Sequence, residues 1–146
     1  MEVEIRIDSS CSETKVVIVT SEITDEITEL AKKLSENTSR VIVGYNNDIM
    51  TIIDEDELIR IYAENGKVFA ETESETYSLK QRLYEIEEIL GGKRFVRISK
   101  SEIINLKKVR HFDLSLTGVV CVKMSSGSVT YVSRRYVGAI KKVLGI

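Results

Sequence analysis

From about residue 40 onward, the chain is a succession of short apolar runs, most of them ended by turn residues. Runs of this length suit β-strands, because a helix needs a longer segment with apolar residues every three or four positions. The Asn65-Gly66 pair between two runs is a strong hairpin signal, since both residues tolerate positive φ. The pattern predicts a mainly β (α+β) fold, with strands over residues 41–43, 49–53, 58–62, 67–72, 76–77, 95–98, 109–116, 119–124 and 129–132.

Three helical segments interrupt these strands. Ser78 and Gln81 have the spacing of a capping box, which predicts a helix over residues 79–90 ended by two glycines. Ser99 or Ser101 is predicted to cap a short helical turn through residues 103–104. Ser133 is predicted to cap a last helix, whose inward face would carry Tyr136, Val137, Ile140, Val143 and Leu144.

Residues 1–40 have a different pattern. Val3, Ile5 and Ile7 alternate with polar residues, and residues 16–19 are continuously apolar, so each segment is predicted to be a strand. Residues 23–34 carry an apolar stripe at helical spacing. We therefore expect a β-β-α-β opening, with an extension over residues 1–40 and a main domain over residues 41–146. The extension could dimerise, bind a protein or cap the sheet. Capping is favoured, because residues 16–19 need cover on two faces.

Signatures of enzymes and of membrane proteins are missing from the sequence. No apolar run approaches the length of a bilayer span, and no signal peptide is recognisable. His111 is the single histidine, and no nucleotide-binding, hydrolase or metal motif occurs, so we expect no catalysis, metal or cofactor. The polar runs at 46–48 and 54–57 lack EF-hand spacing and are interpreted as turns. Two distant cysteines fit a cytoplasmic protein with reduced thiols.

The charges divide sharply along the chain. Residues 91–146 hold twelve Lys and Arg against two acids, a net of +10, whereas residues 1–90 hold nine basic and twenty-one acidic residues, a net of −12. The overall charge of −2 hides this division. A basic region of this size indicates a polyanionic partner, because neutralising phosphates releases their condensed counterions.

Arg134 and Arg135 stand where the last helix is predicted to begin. The positive end of the helix dipole disfavours cations there by a few tenths of a kcal/mol, so the pair makes sense if an anion docks at this helix start. Arginine can also read guanine in the major groove through two hydrogen bonds. The alternative is a solvated arginine pair tolerated at small cost.

Other basic residues fall at predicted strand ends and turns, where binding residues are often presented. Arg97 and Lys100 follow the strand over residues 95–98, and Lys67 follows the Asn65-Gly66 turn. Lys107 and Lys108 are interpreted as peripheral phosphate contacts or as charges that serve solubility.

Two segments of this basic region resemble a known family. Residues 94–109 read RFVRISKSEIINLKKV, and residues 127–136 read GSVTYVSRRY. Both are similar to the C-terminal motifs of the LytTR DNA-binding domain. The likeness extends, less specifically, over residues 41–146.

The resemblance implies an elongated stack of small antiparallel sheets whose loops enter successive major grooves of double-stranded DNA. Carried over by position, the family's base-reading loops fall near Asn65 and Lys67, on Ser99 and Lys100, and on Arg135 with Arg134 beside it. Arg97, Lys107 and Lys108, singled out above from the basic pattern, complete the predicted DNA-binding set. Lys100 departs from the asparagine frequent at that position, which changes the expected base preference. Family regulators usually carry a receiver domain, for which residues 1–40 leave no room. The resemblance therefore implies a small stand-alone regulator with an input other than phosphorylation of its own chain.

Two functions compete at this point. The first is a sequence-specific DNA-binding transcription regulator, with a homodimer on repeated half-sites and a protein partner at the N-terminal region both left open. The second is an adaptor whose acidic half binds a protein while its basic half touches anionic lipid or RNA.

Overall fold

The computed structural model describes residues 1–12, 14–35, 40–115 and 117–146. The chain divides into two compact units, residues 1–37 and residues 38–146.

The first unit contains one regular element, helix α1 (Asp25–Ser35). The Thr24 hydroxyl accepts a hydrogen bond from the backbone N–H of Ile27 at 3.3 Å, which caps the helix start. Acids in the first turn and Lys32 and Lys33 in the last complement the helix dipole. No residue of α1 is buried.

The two strands predicted before α1 are not formed, so this part of the prediction is wrong. The described residues ahead of the helix contain no strand, and Val3, Ile5 and Ile7 are 81%, 86% and 96% exposed. Alternation supplies an apolar face, but a strand also needs a neighbour for its backbone hydrogen bonds. The described part of this unit offers no such neighbour.

The second unit is built from antiparallel strands in two sheets, with two helices, which confirms the mainly β fold. The seven-stranded sheet has the order β2-β1-β5-β4-β3-β7-β6, and the three-stranded sheet has the order β10-β9-β8. The elements are β1 (Val41–Asn46), β2 (Ile49–Asp54), β3 (Leu58–Glu64), β4 (Lys67–Thr72), β5 (Thr76–Leu79), α2 (Leu83–Leu90), β6 (Phe95–Ser99), β7 (Glu102–Asn105), β8 (Val109–Asp113), β9 (Val120–Met124), β10 (Val129–Val132) and α3 (Arg134–Leu144).

Strands β3, β7 and β6, at one end of the large sheet, have buried residues on both faces. In β7, for example, Ile103 packs into the core beneath α2. Its neighbour Ile104 packs into a second core, against the small sheet and α3. Such strands read as continuous apolar runs, because neither face meets water. The large sheet is therefore the middle layer of the unit.

Two local predictions need correction. Residues 102–105 form strand β7 and no helical turn, because β3 and β6 offer backbone partners on both sides. Helix α2 begins at Leu83 rather than at residue 79, since Leu79 pairs with Val68 at the end of β5. The Glu85 carboxylate accepts the backbone N–H of Arg82 at 3.2 Å, so half of a capping box forms four residues later than predicted. The predicted end of β8 at residue 116 lies outside the described residues.

Candidate nucleic-acid interface

The turn between β3 and β4 presents Asn65 and Lys67. Asn65 and Gly66 have φ values of 51° and 76°, and Glu64 pairs with Lys67 to close the hairpin. Positive φ at both central residues matches the right-handed twist of the strands, which confirms the predicted hairpin. Both Asn65 and Lys67 are exposed.

The turn between β6 and β7 presents Lys100. The Ser101 backbone N–H donates to the Ser99 hydroxyl at 3.2 Å, which tightens the turn. Lys100 is exposed, whereas Ser99 is half-buried. Among the described residues, no hydrogen bond or ion pair holds the Lys100 ammonium group, so it is available to a ligand.

The start of α3 presents Arg134 and Arg135, both exposed in its first turn. Ser133 precedes the helix as predicted, but its side chain makes no capping hydrogen bond. The helix start therefore keeps free backbone N–H groups beside two guanidinium groups, which is a favourable arrangement for an anion.

Two backbone hydrogen bonds place these three features side by side. The Ala63 N–H donates to the Ser101 carbonyl at 2.8 Å, which joins the first turn to the second. The Ser133 N–H donates to the Ile98 carbonyl at 2.9 Å, which joins the second turn to the start of α3. We call the exposed cations on these adjacent features the basic row: Lys67, Lys100, Arg134 and Arg135.

Arg97 occupies a different setting. Its side chain is only 19% exposed, and its guanidinium donates to the Ser99 and Lys100 carbonyls and to the Glu87 carboxylate. Arg97 thus faces the chain itself, although the sequence suggested that it contacts DNA.

Lys107 and Lys108 lie away from the basic row. They belong to a one-turn 3₁₀ helix, Leu106–Lys108, at the opposite end of β7 from Lys100. Four strand residues separate the two ends, about 13 Å at about 3.3 Å per residue. The Arg94 guanidinium, 2.6 Å from Asp56, lowers the pKa of that carboxyl, and the two lysines lower it further. An ionised carboxylate thus partly neutralises this lysine pair.

The sequence analysis did not single out the polar groups that hold the scaffold. Asn105 is fully buried and donates from Nδ2 to the Leu58 carbonyl at 2.7 Å. Arg60 pairs with both Glu71 and Glu102, and burial raises the pKa of Glu102 more than the positive charge of Arg60 lowers it. In the sequence, such a structural role is indicated only by a polar residue within an apolar run, as at Arg60 and Asn105.

The described residues contain neither a metal-binding cluster nor a membrane-spanning helix. No group of three His, Cys, Asp or Glu side chains that could hold a metal ion occurs in the described part of the chain. No helix in those ranges is both long enough and apolar enough to cross a bilayer. His111 is exposed in β8.

The sequence of this chain matches a known domain family over most of its length. The profile of the LytTr DNA-binding domain matches residues 48–145, which include the whole basic row. The chain belongs to the LytTr DNA-binding domain family. An uncharacterized HTH-type transcriptional regulator of Staphylococcus aureus strain NCTC 8325 / PS 47 is 31% identical over 147 residues, covering 100% of this chain and 99% of that protein. A similarly named protein of strain MRSA252 is 30% identical over the same length.

A solved structure shares the fold of the LytTr domain. It is described as the LytTr DNA-binding domain of a methyl-accepting/DNA response regulator from Bacillus cereus, and it matches with a TM-score of 0.70 at 22% identity. The match covers 73% of this chain and 98% of that structure. The relatives are named as helix-turn-helix proteins. In the described residues, however, five strands separate each α-helix from the next, so no two α-helices form that motif.

Proposed function

We propose that this chain is a sequence-specific double-stranded DNA-binding transcriptional regulator that presents its basic row to the major groove. The single observation that supports the proposal most is the juxtaposition of the residues in the row. Two hairpin turns and one helix start, distant in sequence, are brought side by side by two backbone hydrogen bonds. Family membership and the names of the relatives point the same way.

Within this proposal, the residues take different roles. Lys100 and Arg135 read base edges, since both are exposed and Arg135 can make two hydrogen bonds to guanine. Asn65, Lys67, Ser99 and Arg134 contact the flanking backbone or neighbouring bases. Lys107 and Lys108 touch phosphates only, because they project from the other end of β7. Binding is thereby assigned to residues 41–146.

The first test is selection of bound duplexes from a random pool, followed by titration of the enriched site. We expect Lys100→Ala and Arg135→Ala each to weaken binding to that site by about 1–3 kcal/mol, because each loses a base contact. Affinity for an unrelated duplex should change much less. Fluorescence anisotropy with labelled duplexes measures both.

Lys141→Ala is the matched control. It removes the same charge from the last turn of α3, about 10 Å along the helix from Arg134 at about 1.5 Å per residue, and it should leave site preference unchanged. Lys107→Ala should weaken all duplexes alike and reduce the slope of log K against log salt by about 0.9. Equal losses for Lys100→Ala and Lys141→Ala would contradict the assignment of the row.

The same titration separates DNA from other polyanions. Competition with duplex RNA and with phosphatidylserine vesicles is expected to leave the labelled site bound at concentrations where cold site DNA displaces it. Preferential displacement by RNA or vesicles would favour the adaptor. Enrichment of spaced repeats in the selected pool would indicate that two copies bind together.

A further inference from the structure

We infer that Arg97 is a positioning residue, which fixes the Lys100 turn from beneath and ties it to helix α2. The inference deepens the proposed function and rests on it, because it concerns how the turn is presented to DNA. It also changes the role that the sequence suggested for Arg97, from a DNA contact to a support.

The guanidinium of Arg97 makes three hydrogen bonds inside the chain. Nε donates to the Ser99 carbonyl at 2.8 Å, and Nη2 donates to the Lys100 carbonyl at 2.6 Å. Nη1 donates to the Glu87 carboxylate at 2.6 Å. All three guanidinium nitrogens thus donate within the chain. The N–H groups that would bind a phosphate are already bonded to two backbone carbonyls and a carboxylate.

The turn needs this support because its strand pairing is irregular. The register between β6 and β7 shifts between Arg97 and Ser99, and only the Ser99–Glu102 pair lies between this irregularity and the turn. Each carbonyl of residues 98–101 accepts from another group. The carbonyl of residue 98 accepts from the Ser133 N–H, and that of residue 101 accepts from the Ala63 N–H. The carbonyls of residues 99 and 100 both accept from the Arg97 guanidinium. Arg97 is the only side chain in this set.

Glu87 connects the turn to the core of the unit. It lies on α2 next to Ile86, which is fully buried beneath the large sheet. Glu87 itself is half exposed, while Arg97 is largely covered. The direction in which Lys100 projects is therefore set by a contact with a helix that does not belong to the basic row.

The two roles of Arg97 give different results in a salt titration. A phosphate contact contributes about 0.9 to the slope of log K against log salt, so its removal lowers the slope. A positioning residue releases no counterions itself. Its removal should therefore lower the preference for the selected site over an unrelated duplex and leave the slope unchanged.

The test uses the full chain carrying Arg97→Gln, Arg97→Lys or Glu87→Gln, with the selected duplex and an unrelated duplex at several salt concentrations. We expect Arg97→Gln to lower the preference about fivefold or more, which is the scale of one lost base contact. Arg97→Lys should not rescue it, since one ammonium group cannot replace a three-nitrogen fork. Glu87→Gln should act in the same direction with a smaller effect.

A double variant makes the test specific. If Arg97 acts through Lys100, then Arg97→Gln should cost no further preference in a Lys100→Ala background. Additive losses, or a slope reduced by about one, would overturn the inference and restore a direct contact. Unchanged preference in Arg97→Gln would overturn it as well.

Failure of the proposed function is distinguishable from failure of the inference. If the wild-type chain prefers no duplex, the proposed function fails, whereas a wild-type preference that survives every Arg97 substitution rejects the inference alone. Circular dichroism checks that each variant is folded. If Arg97→Gln does not fold, the preference of Glu87→Gln for the selected site is measured instead. This variant keeps both carbonyl contacts of Arg97, so we expect it to fold.

Discussion

At the scale of single residues, Asn105 shows how one buried amide organises the scaffold. Its side chain is completely inaccessible to water, and Nδ2 donates to the Leu58 carbonyl at the start of β3. Oδ1 accepts the Lys107 backbone N–H at 3.0 Å and the Arg94 Nε–H at 3.2 Å. A buried amide with all these partners satisfied fixes one arrangement of the chain around it.

We predict that Asn105→Ala lowers the free energy of unfolding by about 2–4 kcal/mol, because it leaves the buried Leu58 carbonyl and the partly buried Lys107 N–H without their side-chain partner. Urea denaturation followed by circular dichroism measures the loss. Lys107→Ala, two residues away and exposed, is the control and should stay within about 0.5 kcal/mol of wild type. Equal stability of the two variants would show that Asn105 is not a structural residue.

The local signals at this scale explain which site residues could be predicted. Asn65-Gly66, Lys100 and Arg134-Arg135 lie in turns or at a helix start, where sequence alone signals exposure. The role of Arg97 could not be read in the same way. Its partners are two carbonyls and a carboxylate ten residues away, and charge patterning does not distinguish an arginine that faces solvent from one that faces the backbone.

At the scale of elements, strand β1 depends on a glycine where it meets its neighbours. A Cβ atom at Gly44 would lie 2.6 Å from Ile53 Cδ1 and 2.7 Å from Tyr77 Cβ. The second contact is the more severe, because Tyr77 Cβ is fixed to the backbone of β5. Close approach at this point lets β1 join β5, which it pairs at Tyr45 and Ser78.

Gly44→Ala is expected to destabilise the protein by about 1–3 kcal/mol through overpacking. Gly138→Ala is the matched substitution in helix α3, where an added Cβ meets no atom within 4 Å. It should instead stabilise by about 0.5–1 kcal/mol, since alanine is the better helix former. Opposite shifts of the urea midpoint support the packing explanation, and a loss in both variants would contradict it.

Secondary structure was predicted correctly where residues within the element itself determine it. The prediction was wrong where the presence or absence of a neighbouring strand determines the element. The Asn65-Gly66 hairpin and helix α3 carry their own turn and cap residues. Residues 102–105 resemble the start of a helix after Ser101, yet they form β7 because strands flank them on both sides. Residues 3–7 alternate as a strand does but form none, because alternation alone cannot supply a neighbouring strand.

At the scale of the whole molecule, a polar joint links the two sheets of the second unit. Glu71 of β4 accepts from Ser128 Oγ at 2.6 Å and from Ser126 Oγ at 3.2 Å, both in the turn between β9 and β10. Arg60 lies between Glu71 and Glu102. The sheets are thus joined by hydrogen bonds as well as by the apolar core.

Glu102 gives this joint a pH dependence. Burial raises the pKa of Glu102 above its ordinary value, so the folded protein binds that proton more tightly than the unfolded chain does. By linkage, stability falls as pH rises from the unfolded pKa through the folded one, because the folded state must then bury a charge.

We therefore predict that Glu102→Gln gains stability relative to wild type as the pH increases over this interval. The amide can still accept from Arg60 but does not titrate. Urea denaturation of both proteins at pH values from about 4 to about 7 brackets the ordinary pKa of a glutamate and the range above it. A difference between the two proteins that stays constant with pH would refute a raised pKa.

The spatial order of the basic row could not be predicted from the sequence. It depends on β7 standing between β3 and β6, which brings the turns after β3 and β6 to one end of the sheet. The same order sends Lys107 and Lys108 to the other end, although they follow Lys100 closely in sequence. Sheet order is a property of the whole fold, so a charge count along the chain does not contain it.

The exposure of the basic row has a consequence for how such a protein can change over time. In the described part of the structure, the side chains of Lys67, Lys100 and Arg135 form no hydrogen bond or ion pair, whereas Asn105, Arg97 and Gly44 take part in its internal contacts. Substitutions in the row are therefore almost free of stability cost, and those beneath it are not. Under the proposed function, mutation in the row can therefore redirect the protein to a new DNA site while the same scaffold continues to fold.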